Sequence, residues 1–288
     1  MRNSVRNYWV EFNTPLEGRV HYMYLDWKGW VSTGVGNLID ATAQPMSAPS
    51  AAERATSLTM AGQFAWTTAD GSAAGPELVA ADWDAVKARL DLAPSGHLAF
   101  APLTHLVLSD DEINRMIFVK VDEMERYLKS RAEFADFDNW PADAQLAVLS
   151  MSWGMGPAFN FPTFGSYVTQ GDWADAATEC GFQPDEGTIK IRNMLDAQSL
   201  RNAARVVADG YDPEQLVIDI TNILGVQIAL RHYGFDPGPT DGAGGPRTTA
   251  AINAYQSASG VAPTGNPEDI TAELATALTG EGFTALTG

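Results

Sequence analysis

Cys180 is the only cysteine among the 288 residues, so no intramolecular disulfide bond can form. The chain must therefore fold by packing alone, and its 45% of hydrophobic residues is enough for one large or two medium globular domains. A single thiol also excludes a multi-cysteine metal site. The four histidines have no metal-ligand spacing, so we expect neither a metal nor another cofactor.

Charge and hydropathy exclude two classes of partner. The chain has 18 Lys and Arg against 36 Asp and Glu, and this charge of -18 would repel nucleic acid. It has no run of about 18 apolar residues, so we expect no membrane insertion. The segment Met1 to Thr14 has polar residues where a secretory signal needs apolar ones, so we expect a protein made in the host cytoplasm without a signal peptide. We also expect a monomer.

Helical patterns dominate the middle of the chain. Ser50–Glu53 and Ser109–Glu112 fit the capping box that begins a helix, and Ala81–Leu92 has helical apolar spacing. The second box is followed by one apolar stripe: Ile113, Met116, Ile117, Val121, Met124 and Leu128. More helices are expected to about Ala204, one of them opened by Pro141. Residues 41–103, rich in small and polar side chains, are interpreted as an insertion with two short helices.

A β-hairpin is expected near the N-terminus. Leu25–Gly36 combines aromatic residues, β-branched residues and glycines in the pattern of a tight hairpin, directly after a short helical start. The fold class is therefore mainly α (α+β), with a small β-hairpin.

Two carboxylates near this hairpin are candidates for glycoside hydrolysis. The reaction needs one acid to protonate the leaving oxygen and a second carboxylate to stabilise positive charge or activate water. Glu17 would end the first helix among Trp9, Phe12 and Leu16, where an apolar shell would raise its pKa. Asp26 lies on the hairpin, a more polar place where it can stay ionised. The alternative is that both are ordinary surface acids.

The residues around this pair carry a resemblance to a known family. Glu17-Gly18, Asp26, Gly29, Ser32, Gly34 and Gly36 resemble the catalytic segment of the phage-type lysozymes, glycoside hydrolase family 24, with the same spacing. The resemblance implies that Glu17 is the general acid and Asp26 the second carboxylate. It also puts Ser32 in the place of the family's threonine, where a hydroxyl would orient the attacking water; the neighbouring Thr33 is the alternative. Asn37 stands where relatives often carry a histidine.

The resemblance extends over roughly Leu16 to Ala204, apart from the insertion. Ala147–Phe164 is similar to the family's core helix and the loop after it, and Gly171–Ala177 resembles the start of the next helix. Ile191–Asn193 resembles part of the final, arginine-containing helix. A lysozyme-like domain over residues 1–207 is therefore expected.

Aromatic residues near the carboxylates have two possible uses. Tyr22, Tyr24, Trp27 and Trp30 can stack against the apolar faces of sugars or pack in the core. Tyr24, Trp27, Trp30 and Asn37 are the candidate substrate-binding residues.

The C-terminal part carries a second resemblance. The stretch Asp241–Gln256 resembles the peptidoglycan-binding domain of the three-helix type, and its matching residues are Asp241, Gly242, Gly245, Pro246, Thr248, Tyr255 and Gln256. Most of them build a turn and the helix after it, so their expected role is structural. We expect helices over Gln215–His232 and Arg247–Ser259, a linker at 208–216 and a small three-helix domain at 217–288. Such a module would supply the attraction to an anionic cell wall that this acidic chain lacks.

These resemblances imply a muramidase that cleaves the β-1,4 bond between N-acetylmuramic acid and N-acetylglucosamine in bacterial peptidoglycan. The expected stereochemistry is inversion, for which the carboxyls lie roughly 6.5–9.5 Å apart. The setting that fits is a modular phage endolysin, which reaches the wall in the periplasm through a holin-type lesion. The alternatives are an injected antibacterial effector, a non-catalytic wall-binding virion protein on a lysozyme scaffold, and a lytic transglycosylase, which would not need Asp26.

Overall fold

The computed structural model of the protein describes residues 1–287. Their secondary structure is mainly α with small sheets, which confirms the predicted fold class. The chain divides into two compact units. One unit is Glu17–Lys120, and the other combines Met1–Leu16 with the chain from Val121 onward. The domain boundaries expected at 207 and 217 stay a prediction.

The unit Glu17–Lys120 contains the predicted hairpin. Strands β1 (Val20–Leu25), β2 (Val31–Gly34) and β3 (Asn37–Leu38) form an antiparallel sheet in that order. The β1–β2 turn needs glycine at position 29, because its φ is +79° and a Cβ there would lie 2.9 Å from Met46 Sδ. The glycine on which the hairpin prediction relied is therefore required by the geometry of the turn.

The insertion in the same unit packs buried side chains against the hairpin. It contains the helices α2 (Ala51–Ala61) and α3 (Pro76–Lys87), and β4 (Thr67–Thr68) pairs antiparallel with β5 (Leu106–Val107). Its buried side chains include Trp66, Val79, Trp83, Val86 and Phe100. The capping box at Ser50 is formed, as predicted. The helix predicted over 81–92 begins and ends earlier, and a 3₁₀ helix that contains Pro94 follows it over Leu90–Ser95.

Helix α4 (Asp110–Lys129) buries the predicted apolar stripe along its whole length. Its capping box is only half formed. The hydroxyl of Ser109 accepts a hydrogen bond from the backbone of Glu112 at 3.1 Å, but the Glu112 carboxylate binds Arg115 and the backbone N–H of Ala65 instead. A basic neighbour one turn away thus replaces the expected reciprocal bond.

The other unit is helical in its first part. It contains α1 (Asn3–Glu17, apart from its last residue), α5 (Ala142–Met155), α6 (Pro162–Gln170), α7 (Trp173–Glu179) and α8 (Gly187–Asp209). Every residue of α5 from Ala142 to Trp153 is buried, because the helix carries small and apolar side chains on all its faces. Pro141 precedes this helix, as predicted.

The C-terminal part has the three predicted helices and a strand pair that the sequence pattern did not reveal. The elements are β6 (Val217–Asp219), α9 (Ile223–His232), α10 (Pro246–Ala258), α11 (Thr271–Gly280) and β7 (Thr284–Leu286). The helix predicted over 215–232 is wrong at its start. Residues 217–219 pair in parallel with β7, and Asn222 caps the helix by accepting from the N–H of Gly225 at 3.0 Å.

The segment expected to be a linker, 208–216, is hydrogen-bonded to its own unit. The N–H of Ala142 donates to the carbonyl of Pro213 at 2.9 Å, and Arg2 forms an ion pair with Glu214. The carboxylate of Asp143 accepts from the N–H of Val217 at 3.0 Å, just past the segment. These contacts fix the segment, and its role as a linker stays a prediction.

Candidate functional site

Glu17 is the last residue of α1, and its side chain is exposed. The apolar shell that the sequence predicts around it is wrong. The helix ends at this residue, and Gly18 turns the chain with φ +75°, a conformation that favours glycine after a helix end. The side chain is therefore open to solvent and is not enclosed by apolar residues.

Asp26 lies in the β1–β2 turn and organises it. Its Oδ1 accepts hydrogen bonds from the N–H groups of Lys28 and Trp30, both at 2.9 Å, and its own N–H donates to the Trp30 carbonyl at 2.9 Å. Its Oδ2 accepts no hydrogen bond from any residue between 1 and 287. One oxygen thus fixes the carboxylate, and the other remains for a ligand or water.

Tyr24, on β1, is a half-buried tyrosine whose pKa responds to both carboxylates. Burial raises the pKa of its hydroxyl above the ordinary value, and the negative charges of Asp26 and Glu17 raise it further. Tyr24 also pairs with Ser32 across the β1–β2 ladder, two residues before Asp26 in the chain.

The two hydroxyls on β2 differ in their surroundings. Ser32 is the cross-strand partner of Tyr24, so both side chains project from the same face of the sheet. Thr33 follows on the opposite face, where its hydroxyl donates to the carbonyl of Tyr22 at 3.1 Å. Ser32 forms no side-chain hydrogen bond within the described part of the chain, whereas Thr33 is already used by the sheet. Of the two hydroxyls, that of Ser32 is therefore the one not engaged within the sheet.

Asn37 does not join this group. It pairs with Thr33 across the β2–β3 ladder and so lies on the face away from Ser32. Its Oδ1 accepts from the N–H of Val35 at 3.2 Å and closes the β2–β3 turn. Asn37 therefore stabilises the β2–β3 turn. The strand register does not bring its side chain to Tyr24.

The two tryptophans of the hairpin have different environments. Trp27 is 77% exposed at the turn, so it is not a core residue. Trp30 is half-buried, and its indole N–H donates to the carbonyl of Thr42 at 2.9 Å. The ammonium of Lys28 lies 5.0 Å from one ring centroid and 5.3 Å from the other. Trp27 is the ring that is free to stack on a sugar.

The insertion holds the hairpin through a buried ion pair that sequence reasoning missed. Lys87 Nζ lies 2.8 Å from Asp40 Oδ2 and donates to the carbonyl of Gly29, in the Asp26 turn, at 2.8 Å. Burial works to raise the pKa of Asp40, but hydrogen bonds from Lys87, Thr42 and the backbone lower it below its ordinary value. The insertion thus helps to position the turn that carries Asp26.

The insertion also brings a histidine to the candidate site. His97 Nδ1 lies 3.0 Å from the hydroxyl of Tyr22, and its ring centroid lies 6.0 Å from that of Tyr24. The sequence analysis assigned no chemistry to the insertion, because 75 residues separate Tyr22 from His97 and no local pattern joins them.

In the C-terminal part, the matching motif residues are mostly structural, as the sequence indicates. Gln227, which is buried in α9, was missed. Its Oε1 accepts from the N–H groups of Asp241 and Gly242 at 3.1 and 2.9 Å, and its Nε2 donates to the carbonyl of Ala243 at 3.0 Å. The amide also donates to the hydroxyl of Thr248 at 3.2 Å. This one side chain therefore fixes the loop that leads into α10.

Gln256 fixes the next loop in the same way. Its Oε1 accepts from the N–H groups of Thr264 and Gly265 at 2.8 and 3.1 Å, and its Nε2 donates to Thr264 Oγ1 at 2.9 Å. Tyr255 packs its ring 5.5 Å from that of Phe235. Gln227 could have been found by its likeness to Gln256, because each is a glutamine in a helix that is followed by a glycine-containing turn.

Comparison with known proteins identifies the C-terminal part. A family model for a peptidoglycan binding domain matches residues 221–274, which include α9, α10 and the start of α11. No curated protein matches the chain. The chain therefore carries a peptidoglycan-binding domain, which supports association with the cell wall and peptidoglycan as a partner.

Two further properties of residues 1–287 concern membranes and metals. None of the helices in this range has the length and apolar character needed to cross a membrane. Within the same range, no three His, Cys, Asp or Glu side chains are grouped in a way that could hold a metal ion.

Proposed function

We propose that this protein is a peptidoglycan hydrolase, a muramidase that cleaves the β-1,4 bond between N-acetylmuramic acid and N-acetylglucosamine. The observation that carries the proposal is the geometry of the hairpin: Asp26 is held through one carboxylate oxygen only, Tyr24 and Ser32 are paired across β1 and β2, and Glu17 is exposed just ahead of β1. The binding domain at 221–274 supports peptidoglycan as the substrate. The setting we propose is lysis of the bacterial wall by a modular phage endolysin.

The surroundings of the two carboxylates support different roles. Glu17 is exposed at a helix end, where it can reach the glycosidic oxygen of a polymer and donate a proton to it. Asp26 is oriented by the N–H groups of Lys28 and Trp30, and its second oxygen is left to act on water. One group that donates a proton and one that activates water are what hydrolysis with inversion requires.

Ser32 supports inversion at the anomeric carbon. Its hydroxyl shares a face with Tyr24, and together with Asp26 it can hold a water for attack opposite the leaving group. The first product is then the α-anomer. Proton NMR of a short glycan, recorded before mutarotation, should show that anomer first. An initial β-anomer would mean that Asp26 acts as a nucleophile and that Ser32 does not position water.

The direct test is the substitution Glu17→Gln, which removes the transferable proton and keeps the size of the side chain. We expect lysis of purified peptidoglycan, followed by turbidity, to slow by about a thousandfold with folding unchanged. Glu77→Gln, at an exposed glutamate in the first turn of α3, is the matched control and should lyse like the parent. Asp26→Asn should act in the same direction as Glu17→Gln.

Two outcomes would contradict the proposal. Retention of most lytic activity by Glu17→Gln would remove its assignment as the acid. A parent protein that sediments with peptidoglycan but never clears it would instead be a non-catalytic wall-binding protein.

A further inference from the structure

Three rings form a partly exposed surface beside the carboxylates. Tyr22, Tyr24 and His97, here called the ring surface, all belong to the unit Glu17–Lys120. The centroid of the His97 ring lies 6.2 Å from that of Tyr22 and 6.0 Å from that of Tyr24. His97 is exposed and both tyrosines are half-buried, so a solute can reach the rings.

The insertion holds His97 in place from both sides. Gly96 precedes it with φ +77°, and His97 then begins the short 3₁₀ helix that ends at Ala99. Ala93 and Phe100, on either side of this segment, are buried in the core of the unit. The histidine is thus presented on a fixed segment.

The hydrogen bonding of His97 leaves one nitrogen for a ligand. Nδ1 is used by the hydroxyl of Tyr22 at 3.0 Å, whereas Nε2 has no hydrogen bond to the described residues of the chain. Burial raises the pKa of Tyr22 above its ordinary value, so its phenol keeps its proton at neutral pH. With the phenol donating to Nδ1, the N–H of the imidazole lies on Nε2, where it can serve as a donor.

We infer that the ring surface is a glycan subsite for an N-acetylated amino sugar next to the bond that is cut, with His97 as a specificity-determining residue. Sugar rings present apolar C–H faces that pack on aromatic rings, and the acetamido carbonyl is an acceptor for the N–H at Nε2. Tyr24 belongs to this surface and lies on β1 two residues before Asp26, so the subsite adjoins the turn that carries Asp26. The inference rests on the proposed function for the position of the cut.

The experiment follows the four histidines of the full-length chain by NMR. The probe is the β-1,4 tetramer of N-acetylglucosamine, added to the Glu17→Gln protein so that it is not cleaved. We expect the imidazole signal assigned to His97 to move during the titration. The signal of His105, a histidine of the same unit whose side chain is 86% exposed, should stay in place.

Binding constants provide the second readout. His97→Ala should weaken binding of the tetramer about tenfold, because one hydrogen bond and part of the ring surface are lost. Tyr22→Phe, which keeps the ring and removes the bond to Nδ1, should weaken it about threefold. The matched control His105→Ala should stay within about twofold of the parent. In the cleaving protein, His97→Ala should raise KM and leave kcat nearly unchanged.

The outcomes separate this inference from the proposed function. A His97 signal that moves during the titration, together with a parent protein that shows no lytic activity, would support the subsite and refute the muramidase. A fixed His97 signal, with His97→Ala and His105→Ala binding alike, would overturn the subsite even if lysis is intact. An unchanged affinity in Tyr22→Phe would overturn the role of its hydrogen bond.

Discussion

Replacing Lys87 with methionine tests how the insertion supports the candidate site. The side chain of Lys87 is 4% exposed and that of its partner Asp40 is fully buried. Lys87→Met keeps most of the aliphatic stem and removes the ammonium that binds Asp40 and the carbonyl of Gly29. The substitution therefore leaves a buried carboxylate without its cation.

The size of the effect follows from the bonds that remain. Removal of one partner from a buried ion pair costs about 3–5 kcal/mol. Asp40 still accepts from the N–H groups of Val31 and Thr42 and from the Thr42 hydroxyl, so we expect the lower end, about 3 kcal/mol. The free energy of unfolding in urea at neutral pH measures it. Because Gly29 belongs to the turn of Asp26, kcat should fall as well.

Two other variants give this prediction its controls. Arg89→Met removes an ion pair in which Arg89 and Asp91 are 42% and 62% exposed, and should cost less than about 1 kcal/mol. The double variant Asp40→Asn with Lys87→Met removes both charges but keeps an acceptor for the backbone, so it should regain part of the stability. If Lys87→Met proves as mild as Arg89→Met, the reasoning about the buried pair is refuted.

Three further predictions concern other parts of the chain. Ser32→Ala should lower kcat more than Thr33→Ala, which should instead lower stability by about 1 kcal/mol because its bond within the sheet is lost; the reverse order would give the water-holding role to the other hydroxyl. Two carboxylates raise the pKa of His232 to about 9 from 6.5, so the stability from its ion pairs should be complete below about pH 6.5 and lost as the pH rises through about 9; urea unfolding of the parent and His232→Gln across this range checks it. Gln227→Ala should reduce sedimentation with insoluble peptidoglycan, because the loop before α10 loses its central acceptor; undiminished sedimentation would show that this loop does not support wall binding.

The features that the sequence predicted correctly are those that arise locally. The stripe along α4 and the capping box at Ser50 are set by neighbours within a few residues, and the β1–β2 hairpin by its turn. The motif of the C-terminal module is also local, and the family match at 221–274 confirms that module.

The features that it missed depend on distant partners. Strand β6 forms because residues 284–286 return to pair with it, and helical spacing around Val217 cannot reveal that. His97 reaches Tyr22, and Lys87 reaches Asp40, only after the insertion has folded. The prediction that apolar residues enclose Glu17 was wrong, because residues near it in sequence at a helix end need not surround its side chain in space.

Mass spectrometry of the fragments released from purified peptidoglycan tests the central claim most directly. A muramidase with Glu17 as its acid adds one water at every cut, so each fragment should end in a reducing N-acetylmuramic acid, and Glu17→Gln should release almost none. Fragments that end in the anhydro form, lighter by one water, would show a lytic transglycosylase that does not use Asp26 to activate water. Release of no fragments by the parent protein would contradict the hydrolase itself.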